Sequence, residues 1–436
     1  MHLIKLHINN LFGHFNHKIT FNDENITIIT APNGYGKTVC LKVIDAIFNK
    51  RFTYLSNLDF SSIELYSNSS ILFIKKEGLK DKSFSLSLSN SDEVFNYSIS
   101  SKDVNFNGRR STLTQTIENA VPFLHRISGR EWQDFRTDEV YNLEEVLENF
   151  SEFLPDEILN TVYPKWFLEF IENLQVHFIQ DQRLIQRKTV NSRNGNKSYI
   201  DTIEKYADEL SELIREYGVK SALVSQKLDT SFPVRLLTKN DDIVDLQADI
   251  LTDELIKLQT KRKELSNFDL LSSDSSLPEL QVSSEIKPED RKVLTLYIND
   301  TKEKLAPYND IYRRIELFDK ILNTKRLSYK KVKFNSKKGF FFETDVGDPL
   351  NLTQLSSGEQ HQIVLLYELI FKANENVLVL IDEPELSLHV AWQKEFLNDL
   401  TKIIEIQAMP IVIATHSPQI IDSKWHLTID LENTES

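Results

Sequence analysis

An α/β fold is what this sequence predicts: a mixed sheet with covering helices, interrupted by a mostly helical insert. Three observations point to it. Compact β-prone runs near both ends, Ile26-Thr27-Ile28-Ile29 and Val377-Leu378-Val379-Leu380-Ile381, suit strands buried on both faces. Helix-length segments alternate with these runs, the pattern of a parallel or mixed sheet. Between the two ends, from about 199 to 326, apolar residues recur at helical rather than strand spacing.

Taken in order, the chain opens with a partly alternating strand at His2–Ile8 and a short β-prone segment, Lys18-Ile19-Thr20-Phe21. The run Ile26–Ile29 enters a glycine-rich turn and then a helix from Thr38 to Phe48, with Val39, Leu41, Val43, Ile44 and Ile47 as its apolar positions. Residues 60–107 are rich in Ser and Asn with short apolar runs such as Ile71–Ile74 and Phe84–Leu88, and read as antiparallel strands. Residues 111–173 read as mostly helical, followed by a strand at Gln175–Ile179.

In the insert, Ile203, Tyr206, Leu210, Leu213 and Tyr217 keep one helical face. So do Leu251, Leu255, Leu258 and Leu265, and again Leu294, Ile298, Leu305, Tyr308, Tyr312 and Ile315, with a kink expected at Pro307. None of these stripes is long. Helices of about 25 residues, ~37 Å, are expected, making a compact lid or arm. The chain then gives a hairpin at Lys330–Thr344, a helix from Ser357 to Ala373 and the strand Val377–Ile381. A helix at Ala391–Glu405 follows, then strands Ile411–Thr415 and Leu427–Leu431. Three domains follow from this reading: 1–185, the insert 186–326, and 327–436.

Composition narrows the class. At 436 residues and 40% hydrophobic content, the chain can fill one large core or two moderate ones. No apolar run approaches the roughly 18–20 residues that span a bilayer. The first residues lack the charged and apolar regions of a signal peptide, so a cytoplasmic protein without membrane partners is expected. The single cysteine, Cys40, excludes an internal disulfide or a cysteine zinc site and is expected to be a buried core residue. A net charge of −14 disfavours broad coating of nucleic acid. Two local basic segments, Arg183–Lys197 and Lys325–Lys338, leave open a nucleic-acid contact, a protein partner or a plain solvated face.

Chemistry concentrates at the two ends. Ala31-Pro32-Asn33-Gly34-Tyr35-Gly36-Lys37-Thr38 lies between a strand and a helix, the context of a phosphate-binding loop. Gly34 and Gly36 let backbone N–H groups of Asn33 to Thr38 face phosphates at a helix N-terminus. Lys37 supplies positive charge to the terminal phosphates, and the Thr38 hydroxyl can ligate Mg²⁺. Ala31 stands where a first glycine is usual. The apolar strand 377–381 ends in Asp382-Glu383-Pro384: Asp382 suits a Mg²⁺ ligand through water, and Glu383 a general base. Ala414-Thr415-His416-Ser417-Pro418 ends the next strand and puts His416 at the same sheet edge as a γ-phosphate sensor. Ligands in open α/β sheets sit beyond the carboxyl ends of the strands.

Leu355-Ser356-Ser357-Gly358-Glu359-Gln360 resembles the signature of ABC-type ATPases. The order of phosphate loop, helical insert, signature, Asp-Glu and His is similar to that family, including its SMC-, RecF- and OLD-like branches. The resemblance covers roughly residues 1–50 and 350–431. It implies ATP and Mg²⁺ as ligands and hydrolysis to ADP and phosphate. It also implies head-to-tail dimers in which Ser357 and Gly358 of one copy cap the γ-phosphate held by the other. Glu359 stands where Gln is usual; an acid beside phosphate is unfavourable unless it points away, so Glu359 is left out of the ligand set. A glutamine ahead of the insert, Gln180 or preferably Gln182, would contact the metal and nucleotide. Glu385-Leu386-Ser387-Leu388-His389 occupies the place of a subunit-contact loop, with His389 either a dimer contact or solvated.

Within the class, Asp382–His389, Ala414–Pro418 and Ser225–Pro233 look like the OLD-like ATPases of bacterial antiphage systems of the Septu, retron-associated and PARIS types. The sequence ends at Ser436, shortly after His416, where OLD nucleases continue into a Toprim domain. The resemblance therefore implies a sensor or scaffold that controls a separate nuclease or toxin effector. An ATPase of DNA repair or chromosome maintenance is the alternative.

Overall fold

The computed structural model describes residues 3–98, parts of 117–154, 162–179, 185–187, 199–237, 246–271, 286–325, 327 and 329–432. It divides into two compact units: Met1–Ile200 with Glu368–Ser436, and Asp201–Tyr367.

The first unit holds two large sheets. In one, β1 (Leu3–Leu11), β2 (Phe15–Thr20), β4 (Ser62–Ser67), β5 (Ile71–Lys75), β6 (Phe84–Leu88) and β7 (Val94–Tyr97) pair antiparallel in the order β2-β1-β4-β5-β6-β7. Buried and partly exposed residues alternate along β4, β5 and β6, as one covered face requires. The other sheet orders β11 (Gln175–Ile179), β17 (Val377–Asp382), β18 (Ile411–Ala414), β3 (Ile26–Thr30) and β19 (Thr428–Asp430), with every neighbour parallel. Its central strands are buried on both faces, which is why they read as unbroken apolar runs.

Helix α1 (Lys37–Phe48) shares one core with both sheets. Leu41, Ile44 and Ile47 are fully buried together with Leu6, Ile63 and Leu72 of the antiparallel sheet and Leu380 of the parallel one. Each such side chain contributes about 1.5–3 kcal/mol through burial. Cys40 is buried in the same core, and burial pushes its thiol up to about 12. Shorter helices α2 (Phe52–Asn57), α3 (Lys165–Glu172), α9 (Val390–Gln393), α10 (Phe396–Gln407) and α11 (Pro418–Ile421) complete this unit.

Among the described residues of 111–173, α3 is helical as expected, but 124–142 depart from that expectation. They contain a three-stranded sheet, β8 (Leu124–Ser128), β9 (Glu131–Asp134) and β10 (Val140–Asn142), around a buried Trp132. Strands of three to five residues are too short for their period to show in the sequence. Strands β12 (Ile185–Arg187) and β13 (Tyr199–Asp201) form a separate ribbon.

The second unit is built on α4 (Thr202–Leu237), α5 (Ala248–Asn267), α6 (Pro288–Leu305) and α7 (Asn309–Lys325). Helix α4 runs 36 residues, ~54 Å, longer than the short stripe predicts. Only its first turns have a full apolar face; beyond Ile214 it buries Ser221 and Leu228 alone, so periodicity fades while the helix continues. A 3₁₀ turn, Ala306–Tyr308, separates α6 from α7 at the expected Pro307. The hairpin β14 (Lys330–Asn335) and β15 (Gly339–Thr344), with β16 (Pro349–Leu350), packs on α4. Gly339, at φ +68°, is required there: a Cβ would stand 1.9 Å from the Ala207 carbonyl oxygen. The sequence boundary at 326 therefore differs from the structural grouping, in which the hairpin and helix α8 (Ser357–Tyr367) belong with the arm. Tyr206 stacks on Tyr367 at 4.5 Å, and Phe318 and Phe340 extend the same aromatic cluster. A π-turn, Glu368–Lys372, continues α8 in sequence and accounts for the remainder of the helix expected to Ala373.

Candidate functional site

The carboxyl ends of β3, β17 and β18 lie in register, with Ala414 opposite both Asp382 and Ile29. The loop 31–36 leaves β3 and enters α1 at Gly36, which has φ +85°, while Gly34 has φ +91°. Both lie in the left-handed region where a Cβ is strained. At Gly36 a Cβ would also come within 3.0 Å of Leu11 Cδ2. The loop is braced from the antiparallel sheet: the imidazole Nε2 of buried His17 is 2.8 Å from the Tyr35 carbonyl oxygen, and Phe15 packs on both rings.

Lys37 is 5% exposed; its ammonium donates to the carbonyls of Ala31 (2.9 Å) and Pro32 (3.4 Å) and lies 3.8 Å from Glu383 Oε1. The Thr38 hydroxyl donates to Asp382 Oδ1 at 3.0 Å. Burial pushes the Asp382 carboxyl up to about 6, with the Glu383 charge adding to the shift and the Thr38 hydrogen bond, Lys42 and Lys37 opposing it. Glu383 takes a left-handed conformation, φ 43°, and its N–H donates to the Ala414 carbonyl at 2.9 Å. Burial first, then the Glu385 charge, raises the Glu383 carboxyl, against His416 and Lys37. His416 Nδ1 is 2.6 Å from Glu383 Oε2; toward an ionised carboxylate that nitrogen must carry the proton. Lys37, Thr38, Asp382, Glu383 and His416, widely separated in sequence, thus meet at one sheet edge.

Sequence reasoning assigned no role of its own to Glu385, treating it only as part of the subunit-contact loop. A 3₁₀ turn, Pro384–Ser387, turns its side chain inward. Its Oε1 accepts from the Thr415 hydroxyl (2.6 Å) and the His416 N–H (3.1 Å). The signal in the sequence was Pro384, which fixes a turn one residue past Glu383. His389 is exposed and packs edge-on against Trp392.

The signature residues belong to the second unit. Ser356 caps α8: its hydroxyl accepts from the Glu359 N–H (3.3 Å), while Glu359 Oε2 accepts the Ser356 N–H at 2.8 Å. This is a reciprocal capping box. Lys330 donates to both Glu359 oxygens at 2.8 Å, and Lys330 and the Ser356 bonds hold that carboxyl below its ordinary range despite burial. Glu359 is therefore turned to Lys330, leaving Ser357 and Gly358 at the first turn. A Cβ on Gly358 would meet only open space. Lys330 is thereby committed to an internal ion pair, Lys331 lies 4.0 Å from Asp345, and Lys338 sits over Phe341. Gln180, Gln182 and the side chains of the Arg183–Lys197 segment lie outside the described residues. No helix among the described residues is long and apolar enough to cross a membrane.

Fold and site together define a P-loop α/β protein of nucleotide-binding design. The chain belongs to the family described as "AAA domain, putative AbiEii toxin, Type IV TA system", which matches residues 26–422, and so is an AAA-family ATPase. It is 29% identical over 130 residues to the DNA double-strand break repair Rad50 ATPase of Sulfurisphaera tokodaii, covering 28% of this chain and 15% of that protein. It is 34% identical over 70 residues to protein ea59 of Escherichia phage lambda, covering 16% of this chain and 13% of ea59. The chain thus spans only a small part of these curated relatives. Among solved structures, the Pyrococcus furiosus Smc head domain with an extended coiled coil, bound to the C-terminal domain of ScpA, aligns over 96% of this chain and 91% of its own at TM-score 0.34 and 14% identity. An SmcHead bound to the C-winged helix domain of ScpA aligns over 97% and 91% at TM-score 0.36 and 10% identity.

Proposed function

We propose that this chain binds ATP with Mg²⁺ and hydrolyses it in head-to-tail dimers. The observation that carries the reading is the meeting of Lys37, Thr38, Asp382, Glu383 and His416 at the carboxyl edge of the parallel sheet. Lys37 is held beside the phosphate loop by two carbonyls that it can exchange for phosphate oxygens. Thr38 Oγ1 and Asp382 Oδ1 are hard oxygens 3.0 Å apart, the donor type Mg²⁺ takes, with Gln182 a further ligand on the resemblance alone. When bound, the ion neutralises charge developing on the phosphates. Glu383 polarises the attacking water and takes its proton, its raised affinity for protons bringing it nearer the working pH of a base. His416, tied to Glu383 through Nδ1, keeps Nε2 available for the γ-phosphate. Asn33 to Thr38 cradle the phosphates through backbone N–H groups, and Ser357 and Gly358 cap them from the second copy.

The biological role proposed is a sensor or scaffold in an antiphage defence complex, controlling a separate nuclease or toxin effector; the toxin–antitoxin wording of the family description supports it. The Rad50 relative supports a second reading, an ATPase of DNA repair or chromosome maintenance. Affinity purification of tagged Glu383→Gln with ATP and Mg²⁺ from the native host separates them. Mass measurement with and without ATP is expected to show ATP-dependent dimers. A stoichiometric effector-like protein in the preparation supports the defence role, and chromosomal DNA with repair factors supports the second. A chain that stays monomeric with ATP bound overturns the composite site.

A further inference from the structure

Resting on the ATPase reading, we propose that Glu385 is a positioning residue that fixes the His416 imidazole against Glu383, and so sets the turnover rate rather than nucleotide affinity. The left-handed Glu383 and the following proline send the chain into a 3₁₀ turn, which carries the Glu385 side chain back beneath the end of β18. There one carboxylate oxygen, Oε1, accepts from the Thr415 hydroxyl at 2.6 Å and the His416 N–H at 3.1 Å, and lies 3.3 Å from His416 Nδ1. The imidazole Nδ1 therefore faces two carboxylates at once, Glu383 Oε2 at 2.6 Å and Glu385 Oε1 at 3.3 Å. Both favour a proton on that nitrogen, which fixes the ring's orientation and puts Nε2 on its opposite side, where it needs a proton of its own to donate to a phosphate oxygen.

The turn itself is fastened on its far side. Gln393 donates to the carbonyls of Glu385 (3.2 Å) and Leu388 (3.1 Å), and its own oxygen accepts from the Ser417 hydroxyl at 3.3 Å. Glu385 and Ser417 bracket His416 through this one amide. Glu385 is 9% exposed, and its other oxygen, Oε2, has no hydrogen-bond partner among the described residues. A buried carboxylate with one bare oxygen is costly to keep for packing alone. Its placement on a histidine backbone and ring gives the cost a use: the ring beside the base is held in one orientation without touching nucleotide.

The test is a kinetic cycle on the full chain with MgATP, using Glu385→Ala, Glu385→Gln, His416→Ala and the double variant Glu385→Ala/His416→Ala. Glu385→Ala is expected to lower kcat by about 10- to 100-fold through misplacement of the ring, with KM changed by less than about twofold. Glu385→Gln keeps an acceptor for Thr415 and His416, retains the fold, and is expected to recover most of the lost turnover. In the His416→Ala background, Glu385→Ala is expected to change kcat by less than about twofold, because both act through one ring. ¹⁵N-histidine spectra add a readout that packing would not move: the His416 signal of the unaltered chain should be the Nδ1-protonated form, and Glu385→Ala should mix in the other tautomer. Multiplying effects in the double variant, or a rise in KM at constant kcat, overturns the inference while leaving the ATPase reading intact. Absence of ATP hydrolysis by the unaltered chain overturns the ATPase reading itself.

Discussion

Asp382 carries a cost in the nucleotide-free protein that its replacement by asparagine should relieve. Burial holds its carboxyl at about 6 against an ordinary 3.8. At about 1.4 kcal/mol for each factor of ten, the gap sets an upper bound of roughly 3 kcal/mol on what ionised Asp382 costs the folded state. Asp382 keeps part of its surface in water, so about half of that bound is expected. The sign follows from proton uptake. Between pH 3.8 and about 6 the folded carboxyl holds a proton that the unfolded one has released. Stability therefore falls as pH rises through that window and this contribution is constant above it. Asparagine cannot ionise, and its oxygen still accepts from Thr38. In EDTA without nucleotide, Asp382→Asn should melt close to the unaltered chain near pH 4 and above it at pH 7, by a few degrees. With MgATP the order should reverse, because the unaltered chain, which keeps the metal-ligating carboxylate, gains more stability from binding. Differential scanning fluorimetry across pH 4–8 measures both. A destabilised Asp382→Asn at pH 7, or a difference independent of pH, would refute the reasoning.

Two further outcomes follow from named contacts. Lys37→Ala removes the charged donor for the terminal phosphates and should weaken ATP binding by about 10- to 100-fold in a fluorescent-nucleotide titration, with the fold retained. In the second unit, Arg235 is paired through both guanidinium nitrogens with Asp300, which is 4% exposed. Arg235→Ala strands that carboxylate and should cost about 3 kcal/mol in urea unfolding, and Arg235→Met with Asp300→Leu should recover most of the loss.

How far the sequence disclosed this molecule depends on the length and burial of each element. Strands β3, β17 and β18 are buried on both faces, so their apolar runs stand out and the motif that follows each one falls at the same sheet edge. That is why Lys37, Asp382, Glu383 and His416 could be named before any contact was seen. Helix α8 starts where the sequence placed it, at Ser357, and the Ser356–Glu359 capping box fixes that start. The sheet β8–β10 was hidden by strands too short to show alternation. The length of α4 was hidden because polar contacts to α6, such as Ser221 to the Lys304 carbonyl and Arg235 to Asp300, rather than an apolar face, hold its second half. Glu385 and Gln393 escaped notice for another reason: their roles are set by a turn that folds them back onto a different strand.

The most direct measurement is single-turnover release of phosphate from ATP by the unaltered chain and by Glu383→Gln, at matched occupancy of the nucleotide site. Loss of the general base should slow release by about 10²–10⁴-fold while ATP stays bound. Release by Glu383→Gln at the unaltered rate would contradict the assignment of Glu383 and the mechanism built on it.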